Sequence, residues 1–187
     1  MSNLAIISGP SGSGKDAVID KLVERGLPIE RVITTVTRPM RPGESEGQPY
    51  HFTTPEKFQA MIANQELAEW AQVDNERYYG VTKTELSRVE NLKDRIGIWK
   101  IEWKGVETIK KSRPEIKAIL IAPPSIDVLV ERSKKRGAQT QEEIQNRIVY
   151  SQEFLQHKYL YDYVVVNEEN KLDQTVEQVI DIINKIS

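Results

Sequence analysis

Residues 9 to 16 read Gly-Pro-Ser-Gly-Ser-Gly-Lys-Asp, and glycines at that spacing ahead of a lysine can do one kind of chemistry well, the cradling of phosphate. Gly9, Gly12 and Gly14 can take backbone conformations that a Cβ would forbid, so successive N–H groups can turn onto phosphate oxygens. Lys15 adds a mobile positive charge, and a helical pattern that begins there points its positive end at the same oxygens. The spacing GxxxxGK, with the apolar run Leu4 to Ile7 before it, has the strand, loop and helix context of a phosphate-binding loop. Gly9, Pro10, Ser11, Gly12, Ser13, Gly14, Lys15 and Asp16 are therefore candidates to hold a nucleotide or another phosphate. Asp16 departs from the pattern, which calls for a Ser or Thr hydroxyl that ligates magnesium. A carboxylate is still a hard oxygen ligand and suits a helix N-terminus, although it repels phosphate.

A second set of chemistry-bearing residues lies between Arg38 and Tyr50, where Pro39, Pro42, Gly43, Gly47 and Pro49 break any regular pattern. Arg38 and Arg41 can form a planar clamp on a second phosphate, with Tyr50 adding a hydroxyl donor. A solvated loop is the competing reading, and spacing alone leaves both open.

The elements that must position these residues are those of an α/β domain. Short β-rich runs at Leu4 to Ile7, Arg31 to Thr35, Ile96 to Ile101, Lys117 to Ala122 and Tyr163 to Val166 alternate with helical patterns, which predicts a five-stranded, mainly parallel sheet flanked by helices. The first helix has Val18, Ile19, Leu22 and Val23 on one face and stops at Gly26. Thr54 and Pro55 start another, with Phe58, Met61 and Ile62 as its apolar side. Ser125 and Gly137 bracket a third, Thr140 and Glu143 form a capping box for a fourth, and Val176, Val179, Ile180 and Ile183 mark the closing helix. With 187 residues and no Pro/Gly/Ser-rich linker, the chain reads as one domain. No apolar run is long enough to cross a membrane, and no charged leader precedes Leu4, so secretion is not expected. The absence of cysteine fits a reducing cytoplasm and excludes thiol chemistry, and a net charge of -2 argues against a general nucleic-acid binder.

The segment TTVTRPMRPGESEGQPYHF, then EWAQ and RYYG, resembles the substrate-binding part of guanylate kinases, and GPSGSGK resembles their phosphate loop. The likeness continues in order through APPS, ERSKKRGAQT, NRI and YDYVVVN, over nearly the whole chain. The resemblance implies a P-loop kinase fold that transfers the γ-phosphoryl of ATP to GMP with Mg2+, and it divides the domain into a core (about 1–33, 83–125 and 148–187), a small mixed acceptor-binding region (about 34–82) and a helical lid (about 126–147). Residues 9–16 would bind ATP, with Asp16 at the metal. Thr34, Arg38, Arg41, Tyr50 and Tyr79 would hold the acceptor phosphate, with Glu44 supporting the arginine clamp. Glu69 would accept the guanine N1 and N2 hydrogens, with Val81 and Glu102 near the acceptor nucleoside. Lys15, Arg38, Arg132, Arg136 and Arg147 would be catalytic, the last three closing from the lid over the ATP phosphates. Phosphoryl transfer needs positioning and charge neutralisation more than a general base, and such a set supplies both. The partners implied are small molecules, ATP and GMP, with no nucleic acid or membrane, and a homodimer is open.

Besides Asp16, three positions depart from the guanylate kinase pattern. Lys100 stands where the family has an aspartate, Lys104 replaces a glutamine, and Val81 replaces the Ser or Thr whose hydroxyl helps select guanine. Valine cannot donate, which costs about 0.5–1.5 kcal/mol of discrimination unless Thr82 compensates. Asp16 and Lys100 exchange the signs expected at their positions, so they are expected to lie near one another, forming an ion pair or exchanging the job of organising magnesium. Asp16 and Tyr78-Tyr79-Gly80-Val81 also resemble ribose 1,5-bisphosphate phosphokinases, which makes that sugar phosphate the second candidate acceptor. A catalytically weak nucleotide-binding protein, like the guanylate-kinase-like modules of scaffold proteins, is the reading from another class.

Overall fold

The computed structural model describes residues 3–72, 77–134 and 140–186, and of residues 133, 143 and 147 the backbone alone. In chain order the elements are β1 (Leu4–Ser8), α1 (Lys15–Glu24), β2 (Ile29–Arg31), β3 (Thr34–Val36), β4 (Ser45–Glu46), β5 (Pro49–Phe52), α2 (Pro55–Ala63), β6 (Leu67–Gln72) and β7 (Tyr78–Thr82). They continue with α3 (Lys83–Glu90), β8 (Ile96–Lys100), α4 (Trp103–Ser112), β9 (Lys117–Ala122), α5 (Ile126–Lys134), α6 (Gln141–Gln156), a short 3₁₀ turn (Lys158–Leu160), β10 (Tyr163–Val166) and α7 (Leu172–Ile186).

Among the described residues the strands form two five-stranded sheets. The first, in the order β10-β9-β1-β8-β2, is parallel throughout. Its middle strand β1 is buried along its whole length, as a strand covered on both faces must be. Alternate side chains serve the two faces. Ala5, Ile7, Ile98, Ile119 and Ile121 pack with Val18, Ile19 and Leu22 of α1 and with Val176, Val179 and Ile183 of α7. Leu4, Ile6, Trp99, Ala118 and Leu120 pack on the opposite side with Trp103, Val106 and Ile109 of α4 and with Phe154 and Tyr161.

Helix ends follow the chemistry of their terminal residues. Gly26, at φ +72°, closes α1, with its N–H on the Val23 carbonyl at 2.9 Å and the Leu27 N–H on the Leu22 carbonyl at 3.2 Å. Thr54 caps α2 by accepting from the Lys57 N–H at 3.3 Å, with Pro55 at the first helical position. Ser125 accepts from the Val128 N–H at 3.4 Å. Val23, expected in the apolar face of α1, is instead 49 % exposed. At 100° per residue it falls outside the roughly 100° stripe that Val18, Ile19 and Leu22 define. Gly137 lies outside the described residues, as does the side chain of Glu143.

The single strand expected over Arg31 to Thr35 is two strands in two sheets. Ile29 to Arg31 pair with β8 of the parallel sheet, whereas Thr34 to Val36 pair with β5 and β7 of a mixed sheet ordered β4-β5-β3-β7-β6. The chain leaves the first sheet after the Val32 N–H reaches the Ile98 carbonyl at 3.0 Å, and the next N–H, of Ile33, goes to a carboxylate oxygen of Glu85 at 2.8 Å. A side-chain acceptor thus satisfies the backbone where no strand can.

Candidate functional site

The loop after β1 lies at the carboxyl end of the parallel sheet, where open α/β sheets hold their ligands. Gly14 sits at φ +94° as the N-cap of α1. It has no side chain to occupy the first N–H groups of the helix, and these are left for an anion. The loop carbonyls are held from outside. Ser13 O accepts from Asn167 Nδ2 at 2.8 Å, Gly12 O from Arg132 Nη1 at 3.1 Å, and Asn167 O from Arg132 Nη2 at 3.2 Å. Thr175 Oγ1 in turn donates to Asn167 Oδ1 at 3.0 Å. Arg132, expected to reach over the phosphates, therefore sits against the back of the loop, because turning the loop amides inward leaves carbonyls outward for its five donors. Arg136 lies outside the described residues, and so does the side chain of Arg147.

Across a cleft from this loop is Arg38, between β3 and β4. Its guanidinium donates to both oxygens of Glu44, at 2.6 and 2.7 Å, and to the Pro39 carbonyl at 2.9 Å, and it stands over the Tyr50 ring at 4.8 Å. The fork geometry holds the Glu44 carboxyl down at about 2, and Glu44 also accepts from the Arg41 N–H at 2.8 Å. Glu44 thereby fixes the clamp from behind. Burial pushes the Tyr79 phenol up, while Arg38 opposes that shift.

Glu69, on β6, is 5 % exposed. Burial first, and then the nearby charge of Glu102, push its pKa up to about 8. Glu102 is the N-cap of α4 and accepts from the Tyr150 hydroxyl at 2.8 Å. Gly105, one turn into α4, leaves the room that the Glu69 carboxylate occupies: a Cβ there would stand 2.4 Å from Glu69 Oε1.

One cavity of about 590 Å³ joins these parts, lined by Ser11, Lys15 and Asp16, by Thr34, Arg38, Arg41, Tyr50 and Tyr79, and by Glu69 and Glu102. Its lining thus combines the cations Lys15, Arg38, Arg41 and Lys100 with the acids Asp16, Glu69 and Glu102. Val81 is not among the lining residues. It is fully buried in the core cluster with Leu86 and Trp103, so the residue type there is set by packing, and the Thr82 hydroxyl is taken up capping α3 through the Glu85 N–H at 3.0 Å.

Asp16 and Lys100 do lie together, with Nζ to Oδ1 at 2.6 Å, and Lys100 also reaches the Tyr50 hydroxyl at 2.7 Å. Sequence reading did not anticipate the Tyr50 contact, nor Asn167 and Tyr150. For Asn167 a signal existed, a polar residue directly after a run of valines at the carboxyl end of a strand. Tyr150 had none. Among the described residues no group of three or more His, Cys, Asp or Glu could enclose a metal, and no helix is long and apolar enough to cross a membrane.

Residues 1–186 match the family model described as guanylate kinase. The guanylate kinase of Pseudoalteromonas translucida is 37 % identical over 169 residues, covering 89 % of this chain and 80 % of its relative. That of Mycoplasmoides gallisepticum is 37 % identical over 185 residues, covering 97 % and 92 %. The crystal structure of guanylate kinase from Anaplasma phagocytophilum superposes with a TM-score of 0.76 at 27 % identity, covering 97 % of this chain and 84 % of the other. A phosphate loop, an arginine clamp and a buried acid arranged around one cavity, on a chain that matches from end to end, place this protein in the guanylate kinase family.

Proposed function

We propose that the protein transfers the γ-phosphoryl group of ATP to GMP, giving ADP and GDP. The observation that carries this reading is the single cavity in which Lys15, Arg38 and Arg41 line one part and the buried Glu69 another. A molecule suited to it has phosphate at one end and adjacent N–H donors at the other, which describes a guanine nucleotide.

In this reading the loop amides and Lys15 bind the ATP phosphates, and Arg132 and Asn167 act as positioning residues by fixing the loop carbonyls. Thr34, Arg38, Arg41, Tyr50 and Tyr79 hold the acceptor phosphate, and Glu44 keeps the Arg38 fork aimed at it. Glu69 accepts the guanine N1 and N2 hydrogens beside Glu102. Because no proton need be abstracted by a strong base, the work of these side chains is alignment, neutralisation and exclusion of water.

Magnesium fits the donor set. Asp16 would offer a hard oxygen at the start of α1 while its Oδ1 also accepts from Lys100 at 2.6 Å, and magnesium characteristically takes one or two carboxylates with substrate phosphates and water completing its shell. A bound magnesium ion would supply positive charge against the phosphates.

The test is ADP formation from ATP and magnesium with GMP, AMP, UMP, ribose 1,5-bisphosphate or no acceptor. GMP-dependent turnover above the other acceptors is expected. Equal rates with AMP, or turnover with the sugar bisphosphate alone, would refute the assignment.

A further inference from the structure

Lys100 ends β8 between the two phosphate positions of the cleft. Its ammonium donates to Asp16 Oδ1 at 2.6 Å and to the Tyr50 hydroxyl at 2.7 Å. One nitrogen therefore links the first turn of α1, on the ATP side, to β5, on the acceptor side. The Lys100 side chain is 22 % exposed, against 63 % for Asp16, and both line the cavity with Lys15, Arg38 and Arg41.

An ammonium has three N–H donors, and these two contacts leave one for an anion in the cleft. Any phosphate held by the Tyr50 hydroxyl comes within reach of a nitrogen 2.7 Å from that hydroxyl. The arriving phosphates also repel Asp16 and attract Lys100, so their entry shifts the balance of the pair toward substrate.

We propose that Lys100 is a further catalytic residue, whose remaining N–H donor contacts the acceptor phosphate beside Tyr50, close enough for its charge to bear on the phosphoryl group in transfer, with Asp16 holding it in place. This rests on the phosphotransferase reading above. In the step, a bond forms between an acceptor phosphate oxygen and the γ-phosphorus. The bond from that phosphorus to the β,γ-bridging oxygen breaks, and its electron pair stays on ADP. Lys100 keeps its proton throughout and contributes charge alone.

The decisive experiment compares binding of GMP and guanosine by calorimetry, without ATP or metal, to the wild type, Lys100→Met and Lys100→Arg. Lys100→Met is expected to weaken GMP about 10- to 100-fold, to leave guanosine within about twofold, and to lower kcat for GMP about 10²–10³-fold. Lys100→Arg recovers most of the GMP affinity. Equal weakening of GMP and guanosine would assign Lys100 a purely structural role, and unchanged GMP binding with unchanged kcat would remove it from the site. Both outcomes overturn the proposal while leaving GMP binding by the wild type intact. Failure of the wild type to bind either ligand defeats the phosphotransferase reading itself, and this proposal with it. Acetylation footprinting of the wild type by mass spectrometry makes the test independent of variant folding. GMP, but not guanosine, is expected to protect Lys100, and equal protection by both or by neither overturns the proposal.

Discussion

Glu69 is an acid in a place that disfavours its charge, and two effects follow from that conflict. Its pKa of about 8 means that the empty site holds a proton at neutral pH. Accepting the guanine N1 and N2 hydrogens requires the carboxylate, so binding must release that proton. GMP affinity is therefore expected to rise with pH below about 8, approaching tenfold per unit, and to level off above it. Calorimetry in buffers of different ionisation enthalpy, from pH 6 to 8.5, checks both the slope and the proton released, and a flat profile counts against the role. The stability effect has the opposite sense. The folded pKa lies above the ordinary carboxylate value, so the stabilisation from the bound proton is full below about 4.5 and is lost as pH rises through about 8. Glu69→Gln should accordingly raise the urea midpoint at pH 8.5 and leave it little changed near pH 4.5, while GMP binding is lost at both. Glu44 behaves in reverse, because Arg38 holds its carboxyl at about 2. That contribution is present above about 4.5 and is lost as pH falls toward 2. Glu44→Gln is expected to cost about 1.5–3 kcal/mol in urea unfolding at pH 7 and to raise the KM for GMP more than it lowers kcat. A change confined to the KM for ATP would speak against the clamp. The Arg38–Glu44 pair is local in sequence, six residues apart, and the resemblance implies the pairing. The burial of Glu69 and its proximity to Glu102 depend on the packing of β6 against α4, which no local pattern of residues encodes.

Elements place those residues, and glycine shows where an element has been shaped for a neighbour. Gly105 lies within α4, where alanine is favoured by about 1 kcal/mol on helix propensity alone. Its missing side chain is occupied by the Glu69 carboxylate, 2.4 Å from where a Cβ would stand. That oxygen ends a flexible side chain and can swing aside, so Gly105→Ala should keep the fold and its unfolding midpoint. GMP affinity is expected to fall at least tenfold while ATP affinity is unchanged. Paired titrations with GMP and ATP test this, and equal loss of both ligands would mean that the helix itself had moved. Patterning was enough to find the strands at Lys117–Ala122 and Tyr163–Val166, whose observed bounds are the expected ones: the first is a buried parallel strand written as an unbroken apolar run, and the second, an edge strand with Val164 and Val166 exposed, is marked by its β-branched residues. It failed at Arg31 to Thr35, where a continuous β-rich run hides a change of sheet. What divides that run is Glu85, on α3 and 52 residues from Ile33. Local propensity carries no trace of so distant an acceptor.

At the scale of the whole molecule, two sheets must be held so that a donor and an acceptor phosphate meet, and the junction between them is polar. Glu85 is 8 % exposed. It accepts from the Ile33 N–H at 2.8 Å, and it pairs with Arg88, whose Nη1 reaches Glu30 of β2 at 2.8 Å. The chain passes from the parallel sheet to the mixed sheet at Ile33, directly before Thr34, which lines the cavity. Removing the carboxylate strands a backbone N–H and takes one partner from Arg88. Arg88 is 42 % exposed and can turn to water, so the cost comes mainly from the N–H and the lost packing, about 1–3 kcal/mol. Glu85→Ala should lower the urea midpoint correspondingly with the slope of the transition unchanged, since the same surface is exposed on unfolding. If the junction also sets the distance between the phosphate sites, kcat will fall further than either binding constant, because misalignment by an ångström acts on the transfer step and spares the binding of each nucleotide. Glu85→Gln separates the two effects. Its amide oxygen can still accept from the Ile33 N–H, so this variant should recover most of kcat without restoring the charge pair. A glutamine variant as impaired as the alanine one would show that the Arg88 ion pair, and not the backbone acceptor, holds the two sheets in register.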